Sequence, residues 1–159
     1  MEGKEMKQLT TLLKKYAPCG LLLLLCAITP EAYFSSKTGL TEAALYHFTH
    51  TSIFHMALNF VVMARFCPRW VNVPVAYLSA TASALAPFSG MSAPTCGISG
   101  IIFAMLARRD ALLGVKNYML LLTCIATGLL PMFNWKIHIL SYAISFAIWR
   151  VLKLTYYRR

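Results

Sequence analysis

The residues of this chain that could do chemistry are few, and they stand within or beside long apolar runs. They are four histidines, one asparagine and one serine: His47, His50, His55, His138, Asn59 and Ser99. A strongly polar side chain is costly inside a membrane helix and is therefore a functional candidate. An imidazole beside a serine hydroxyl can take the hydroxyl proton and later return it to a leaving amine. The pattern permits a serine–histidine dyad.

The sequence places no carboxylate where it could complete a catalytic triad. The chain has five acidic residues; the four glutamates precede the relevant apolar runs, and Asp110 lies at the far end of the run that begins near Ser99. The five cysteines show no C-x-x-C spacing. We therefore expect a dyad without a triad, and neither a metal site nor a cofactor.

Two short patterns could assist such a dyad. His55 and Asn59 are spaced i, i+4 and share one helix face, from which both could donate a hydrogen bond to a developing oxyanion. Gly97 and Gly100 flank Ser99, and glycine permits close approach of a neighbouring backbone. Taken singly, Asn59 more often joins two helices than binds an oxyanion, and a buried serine is common at helix contacts.

The composition indicates a membrane protein. Of the 159 residues 58% are apolar and 13% are charged, against about 25% charged in a soluble domain. The length suits about six transmembrane helices, which predicts an all-α fold: a polytopic bundle in a single domain, residues 1–159. Charges and turn residues divide the chain into these predicted helices: 12–29, 43–65, 70–88, 97–109, 116–133 and 135–154.

The charge distribution supports that division. With six alternating helices, thirteen of the fifteen lysines and arginines fall on one side, and only Lys37 and Lys136 fall on the other. The positive-inside rule then places both termini in the cytoplasm. The net charge of +10 is scattered between apolar runs, so we expect the lipid bilayer as a partner and no nucleic acid.

Three candidate residues share one depth in this scheme. Depth is measured here along the helix from the arginine that follows each residue. His55 lies ten residues before Arg65, about 15 Å, and Ser99 lies nine before Arg108, about 14 Å. His138 lies twelve before Arg150, about 18 Å. This depth is near the middle of a hydrocarbon core about 30 Å thick. The eleven residues 97–107 span only about 16 Å, so the helix that carries Ser99 must begin at a buried, water-accessible pocket.

These residues together resemble the rhomboid family of intramembrane serine proteases. The matching motifs are His55-Met-Ala-Leu-Asn59, Gly97-Ile-Ser99-Gly100 and His138. The resemblance implies that Ser99 is the nucleophile and His138 the general base, with His55, Asn59 and the Ser99 amide as the oxyanion hole. It further implies a supporting role for His50 in the first loop, and for Phe103 stacked on the catalytic histidine. The expected function is cleavage of transmembrane protein substrates, in a multi-pass protein of the plasma (cell inner) membrane.

The sequence departs from the family pattern in three places. The first loop lacks the frequent Trp-Arg pair, Phe103 stands where tyrosine is common, and Ser141 and Ser145 replace two glycines after the histidine. The leading alternative is a catalytically silent rhomboid-like protein that binds transmembrane clients, although such a protein would be expected to have lost the serine or the histidine. A histidine-based metal transporter ranks third, because the spans offer no acidic ligand at that depth.

Overall fold

The computed structural model describes residues 2–29, 39–66, 70–86, 95–113 and 134–156. The regular elements of these residues are helices, which confirms the all-α prediction for this part of the chain. We number the α-helices along the chain as α1 (Glu2–Ile28), α2 (Leu40–Leu45), α3 (Ile53–Phe66), α4 (Val73–Leu85), α5 (Ser99–Leu113) and α6 (Trp135–Tyr156). Two short 3-10 helices, Tyr46–Phe48 and Trp70–Asn72, follow α2 and precede α4.

Helix α5 occupies the centre of the described bundle and packs against α3, α4 and α6. Its residues 100–105 are all buried, and burial continues at Ala107, Asp110 and Ala111. The neighbours present small side chains to it, including Ala80 of α4 and Ser145 of α6. Small residues let helix axes approach closely, so the packing around α5 fixes the helix that begins at Ser99.

Helix α1 joins this bundle through one face of its second half. Pro18, Cys19 and Leu22 are buried, whereas residues 4–17 are exposed throughout. The helix begins ten residues before the predicted start at residue 12, because the polar residues ahead of the apolar run also favour helix and continue the same turns.

The prediction of one continuous helix over 43–65 is wrong. The chain forms α2 and a 3-10 turn, passes through an extended Thr49 (φ −101°, ψ 151°), and begins α3 at Ile53. The carbonyl of Tyr46 accepts hydrogen bonds from the Thr49 hydroxyl at 3.1 Å and from the Gly97 amide at 2.9 Å. In a continuing helix, the donor to this carbonyl would be the amide four residues later. Here it is the amide of Gly97, which is far away in the sequence. We call residues 39–52 the connecting segment.

Other helix limits differ by smaller amounts. The helix predicted over 70–88 is a 3-10 turn followed by α4, with a proline in its first turn, where proline is tolerated. The helix predicted over 97–109 begins at Ser99 itself and extends to Leu113, and the one predicted over 135–154 ends at Tyr156. The helix predicted over 116–133 lies outside the described residues.

Two of the described helices have the length and apolar composition needed to cross a membrane, Lys4–Ile28 and Trp135–Thr155; a shorter apolar helix spans Ile53–Arg65. Large apolar side chains also point outward from the bundle on several helices. Examples are Leu24, Phe54, Val61, Leu78 and Val151, each more than half exposed. Apolar surface of this extent is typical of a protein that contacts lipid or another apolar partner.

Candidate functional site

Ser99 and His138 meet at the buried end of α5. The Ser99 Oγ lies 2.8 Å from Nε2 of His138, although the two residues are 39 positions apart in the sequence. With the proton of the neutral imidazole on Nδ1, the serine hydroxyl donates to Nε2. This is the geometry in which a histidine can act as a base toward a serine nucleophile.

The start of α5 is held by hydrogen bonds from two successive backbone amides, those of Gly97 and Ile98. Gly97 has a φ of +108°, a conformation that residues with a side chain rarely adopt, and its amide donates to the Tyr46 carbonyl. The next amide, of Ile98, donates to Nε2 of His50 over 3.5 Å. His50 therefore links the connecting segment to the turn that precedes Ser99.

The His138 ring is held by an aromatic neighbour. Phe103, one turn after Ser99 on α5, lies parallel to it with ring centroids 4.5 Å apart and an interplanar angle of 7°. Among the described residues, Nδ1 of His138 has no hydrogen-bond partner. Asp110 lies eleven residues beyond Ser99 along α5, about 16 Å away, and its Oδ2 accepts a bond from the Tyr142 hydroxyl at 2.8 Å. The described residues thus bring no carboxylate to His138.

His55 and Asn59 face the Gly97 turn from α3. A Cβ added to Gly97 would lie 2.9 Å from Cε1 of His55 and 3.7 Å from Nδ2 of Asn59. The Nδ1 atom of His55 lies 3.3 Å from the Thr51 hydroxyl. Asn59 is buried, and its Nδ2 has no hydrogen-bond partner among the described residues. A buried amide without an acceptor is costly, so this N–H group is available to an incoming acceptor.

A cavity of about 340 Å³ opens beside His55 and Ser99, and Asn59 is not among the residues that line it. Its polar lining includes His55, Ser99, His138 and Cys96, and its apolar lining includes Phe54 and Leu58. Phe54 is 83% exposed, so the apolar rim continues onto the outer surface of α3. The cavity is large enough for a few side chains of an extended peptide and connects the serine to that surface.

Close contacts and hydrogen bonds among α4, α5 and α6 hold together the helices around the site. A Cβ on Gly100 would lie 3.3 to 3.4 Å from Ile137, Ala80 and Ser141, so only glycine fits without displacement. The Ser141 Oγ lies 2.8 Å from the Ser83 Oγ of α4. The Ser145 hydroxyl donates to the Ala104 carbonyl of α5 at 2.7 Å. Ser141 and Ser145 therefore tie α6 to both neighbouring helices.

Sequence reasoning overlooked two residues that begin the helices of the site. Ser52 precedes α3 and its Oγ accepts from the His55 amide at 3.2 Å; Asn134 precedes α6 and its Oδ1 accepts from the Ile137 amide at 3.4 Å. Serine and asparagine are residue types that often cap the start of a helix by accepting a bond from an amide three residues later. Their type at these positions was the available signal. They set where the helices that carry His55 and His138 begin.

The remaining histidine, His47, is fully buried against α4, with its Nε2 3.1 Å from the Thr81 hydroxyl. It does not line the cavity, so its place is structural. Within the described ranges no group of three or more histidine, cysteine or acidic side chains could hold a metal ion.

Comparison with known proteins adds no assignment to this site. No protein-family model matches the chain, and no curated protein matches it.

Proposed function

We propose that this chain is an intramembrane serine endopeptidase of the rhomboid type, which cleaves transmembrane protein substrates. The observation that carries the proposal is the 2.8 Å contact between the Ser99 hydroxyl and His138 Nε2 at the floor of a cavity. A structural serine at a helix contact needs neither a histidine at hydrogen-bond distance nor an opening above it.

In the acylation step, Ser99 Oγ attacks the carbonyl carbon of the scissile peptide while its proton passes to Nε2 of His138. The tetrahedral intermediate carries a negative oxygen. Asn59 Nδ2, the His55 ring and the Ser99 backbone amide are its proposed donors, and the amide lies in the first turn of α5, where helix N–H groups are unpaired. The intermediate collapses as His138 gives the proton to the leaving amine, which leaves an acyl ester on Ser99.

In the deacylation step, water gives a proton to His138 Nε2 and its oxygen attacks the ester carbon. The proton then returns to Ser99 Oγ as the new carboxyl end departs. Two features of the chain suit a base that works without a carboxylate. The Phe103 ring restricts rotation of the imidazole, and the contacts of Gly97 and His50 fix the serine opposite it.

The proposed setting is a six-helix bundle in the plasma (cell inner) membrane, with both termini in the cytoplasm. The two long apolar helices and the outward apolar side chains support membrane insertion. The partition of thirteen cations to one side supports the orientation. In this setting a substrate helix would unwind at the cavity rim near Phe54 and present an extended segment to Ser99.

A serine-directed fluorophosphonate probe tests the nucleophile without knowledge of the substrate. Detergent-purified wild-type protein should be labelled, whereas Ser99→Ala should not be and His138→Ala should be labelled at least about a hundredfold more slowly. Ser79→Ala, a change at a buried serine of α4 outside the cavity, is the matched control and should label like wild type. Labelling that persists in Ser99→Ala would contradict the proposed mechanism.

Incubation with single-span transmembrane substrates distinguishes a protease from a protein that only binds transmembrane clients. Cleavage by wild type but not by Ser99→Ala supports the protease. If wild type retains a client in pull-down, cuts no substrate and resists the probe, a client-binding rhomboid-like protein becomes the better description.

A further inference from the structure

The first half of α1 is a basic amphipathic helix with no partner in the described bundle. Residues 4–17 are exposed on all sides, and they carry four lysines and one acidic residue, Glu5. The apolar side chains of this stretch are between 41% and 66% exposed: Met6, Leu9, Leu12, Leu13 and Tyr16. A charged helix with this much exposed apolar surface is favoured where one side contacts an apolar environment and the other side a polar one.

The two residue types are separated around the helix axis. At 3.6 residues per turn, the five apolar residues fall on one face, which also carries Glu5, and the four lysines, Lys4, Lys7, Lys14 and Lys15, fall on a face centred about 175° away. Gln8 and Thr11 lie among the lysines. A helix with lysines opposite leucines and an aromatic ring lies in a bilayer interface with its apolar face toward the acyl chains.

The length of α1 leads to the same placement. Its 27 residues extend about 40 Å, which exceeds a hydrocarbon core of about 30 Å, and the lysines occupy only its first 14 positions. The first half must therefore lie outside the core. Pro18 marks the division, because its ring removes the helical bond to the Lys14 carbonyl and lets the helix bend there.

We propose that residues 4–17 form a docking helix for anionic phospholipid headgroups on the face of the membrane where α1 begins. The lysines would contact the headgroups, and Leu9, Leu12 and their apolar neighbours would enter the acyl boundary. Anionic lipid is the occupant favoured by the charge, since the helix carries an excess of three positive charges next to a membrane span. The proposal requires the membrane placement of the chain but is independent of proteolysis.

The test reconstitutes the full chain in phosphatidylcholine nanodiscs with or without phosphatidylglycerol and measures lysine acylation by mass spectrometry. The rates at Lys7 and Lys14 are divided by the rate at Lys153, near the end of α6, which lies on the same expected side. Phosphatidylglycerol should slow the normalised rate at least about threefold, and high salt should remove that protection. Alkaline extraction of the same samples reports membrane insertion separately.

Two variants that keep every lysine sharpen the test. L9S/L12S removes two of the five large apolar side chains of this face and should return the acylation rate to the phosphatidylcholine value. Q8S/T11S makes two changes on the lysine face and should retain the protection. Equal rates in both lipids, or protection that survives L9S/L12S, would overturn the proposal. Protection that scales with the number of chains per nanodisc would instead assign the face to a second copy and would also overturn it.

Discussion

Phe103 lies flat on His138, with ring centroids 4.5 Å apart and the planes within 7° of parallel. Both residues are buried, and His138 has no Nδ1 partner among the described residues. Ring stacking from α5, the helix that also carries Ser99, therefore helps to orient the proposed base. The nucleophile and the ring that stacks on its proposed base lie on the same helix.

We expect Phe103→Leu to slow fluorophosphonate labelling of Ser99 about 2- to 12-fold, because an aromatic pair contributes about 0.5–1.5 kcal/mol beyond its buried area. Phe103→Tyr keeps the ring and is the matched control, with labelling close to wild type. Rates are compared per folded molecule, since the leucine also leaves a cavity. Equal labelling by both variants would show that the stack does not orient the base.

Gly97→Ala should abolish labelling, or slow it at least about tenfold, because the new methyl group meets Cε1 of His55 at 2.9 Å and the residue must keep a φ of +108°. Gly20→Ala is the control, since nothing lies within 4 Å of its Cβ position. This change within α1 should leave labelling unchanged and stabilise the protein by up to about 1 kcal/mol. Normal labelling of Gly97→Ala would contradict the tight fit of the turn against His55.

Asn59→Ala should lower kcat about a hundredfold while KM stays near the wild-type value, because the proposed bond to the oxyanion exists only in the transition state. Substrate cleavage under saturating and limiting conditions separates the two constants. Asn72→Ala, at the other buried asparagine among the described residues, is the control and should change stability more than kcat. A rise in KM alone would assign Asn59 to substrate binding or to packing.

The Ser83–Ser141 contact offers a double-mutant cycle. Ser83→Ala and Ser141→Ala should each reduce the free energy of unfolding by about 1 kcal/mol, and the double variant by less than the sum, since both singles remove the same 2.8 Å bond. Denaturant unfolding in detergent measures all three. Strict additivity would mean that the two hydroxyls do not interact. Thr155→Ala, at an exposed hydroxyl of α6, should be nearly neutral.

The connecting segment should lose stability in acid. Burial, followed by the nearby His55 charge, lowers the pKa of His50 to about 4, while in the unfolded chain it is near 6.5. Protons therefore bind the unfolded state more readily, and stability should decline as the pH falls from about 6.5 toward 4. Thermal unfolding across this range should show a shallower decline for His50→Gln, which cannot take up the proton. The same slope for both proteins would exclude His50 as a source of the acid sensitivity.

The sequence predicted the helical class and the set of polar residues, because both depend on local composition. Apolar runs bounded by charges mark helices, and a few polar side chains inside such runs are conspicuous. The break after Phe48 could not be read locally, since it depends on the Tyr46 carbonyl accepting a bond from Gly97, about fifty residues away. The capping residues Ser52 and Asn134 were readable in principle, but only once the helix starts were known.

The sequence by itself determined which residues could react: one serine between glycines, a histidine in the last apolar run, and no carboxylate at their depth. The resemblance of the motifs implied His138 as the partner of Ser99, but only the tertiary structure supplies the contact itself. Packing of α6 on α5 brings His138 to 2.8 Å from Ser99, and His55 faces Gly97. Residue type fixes what a side chain can do, whereas distances of this precision arise only from the packing of helices far apart in the chain.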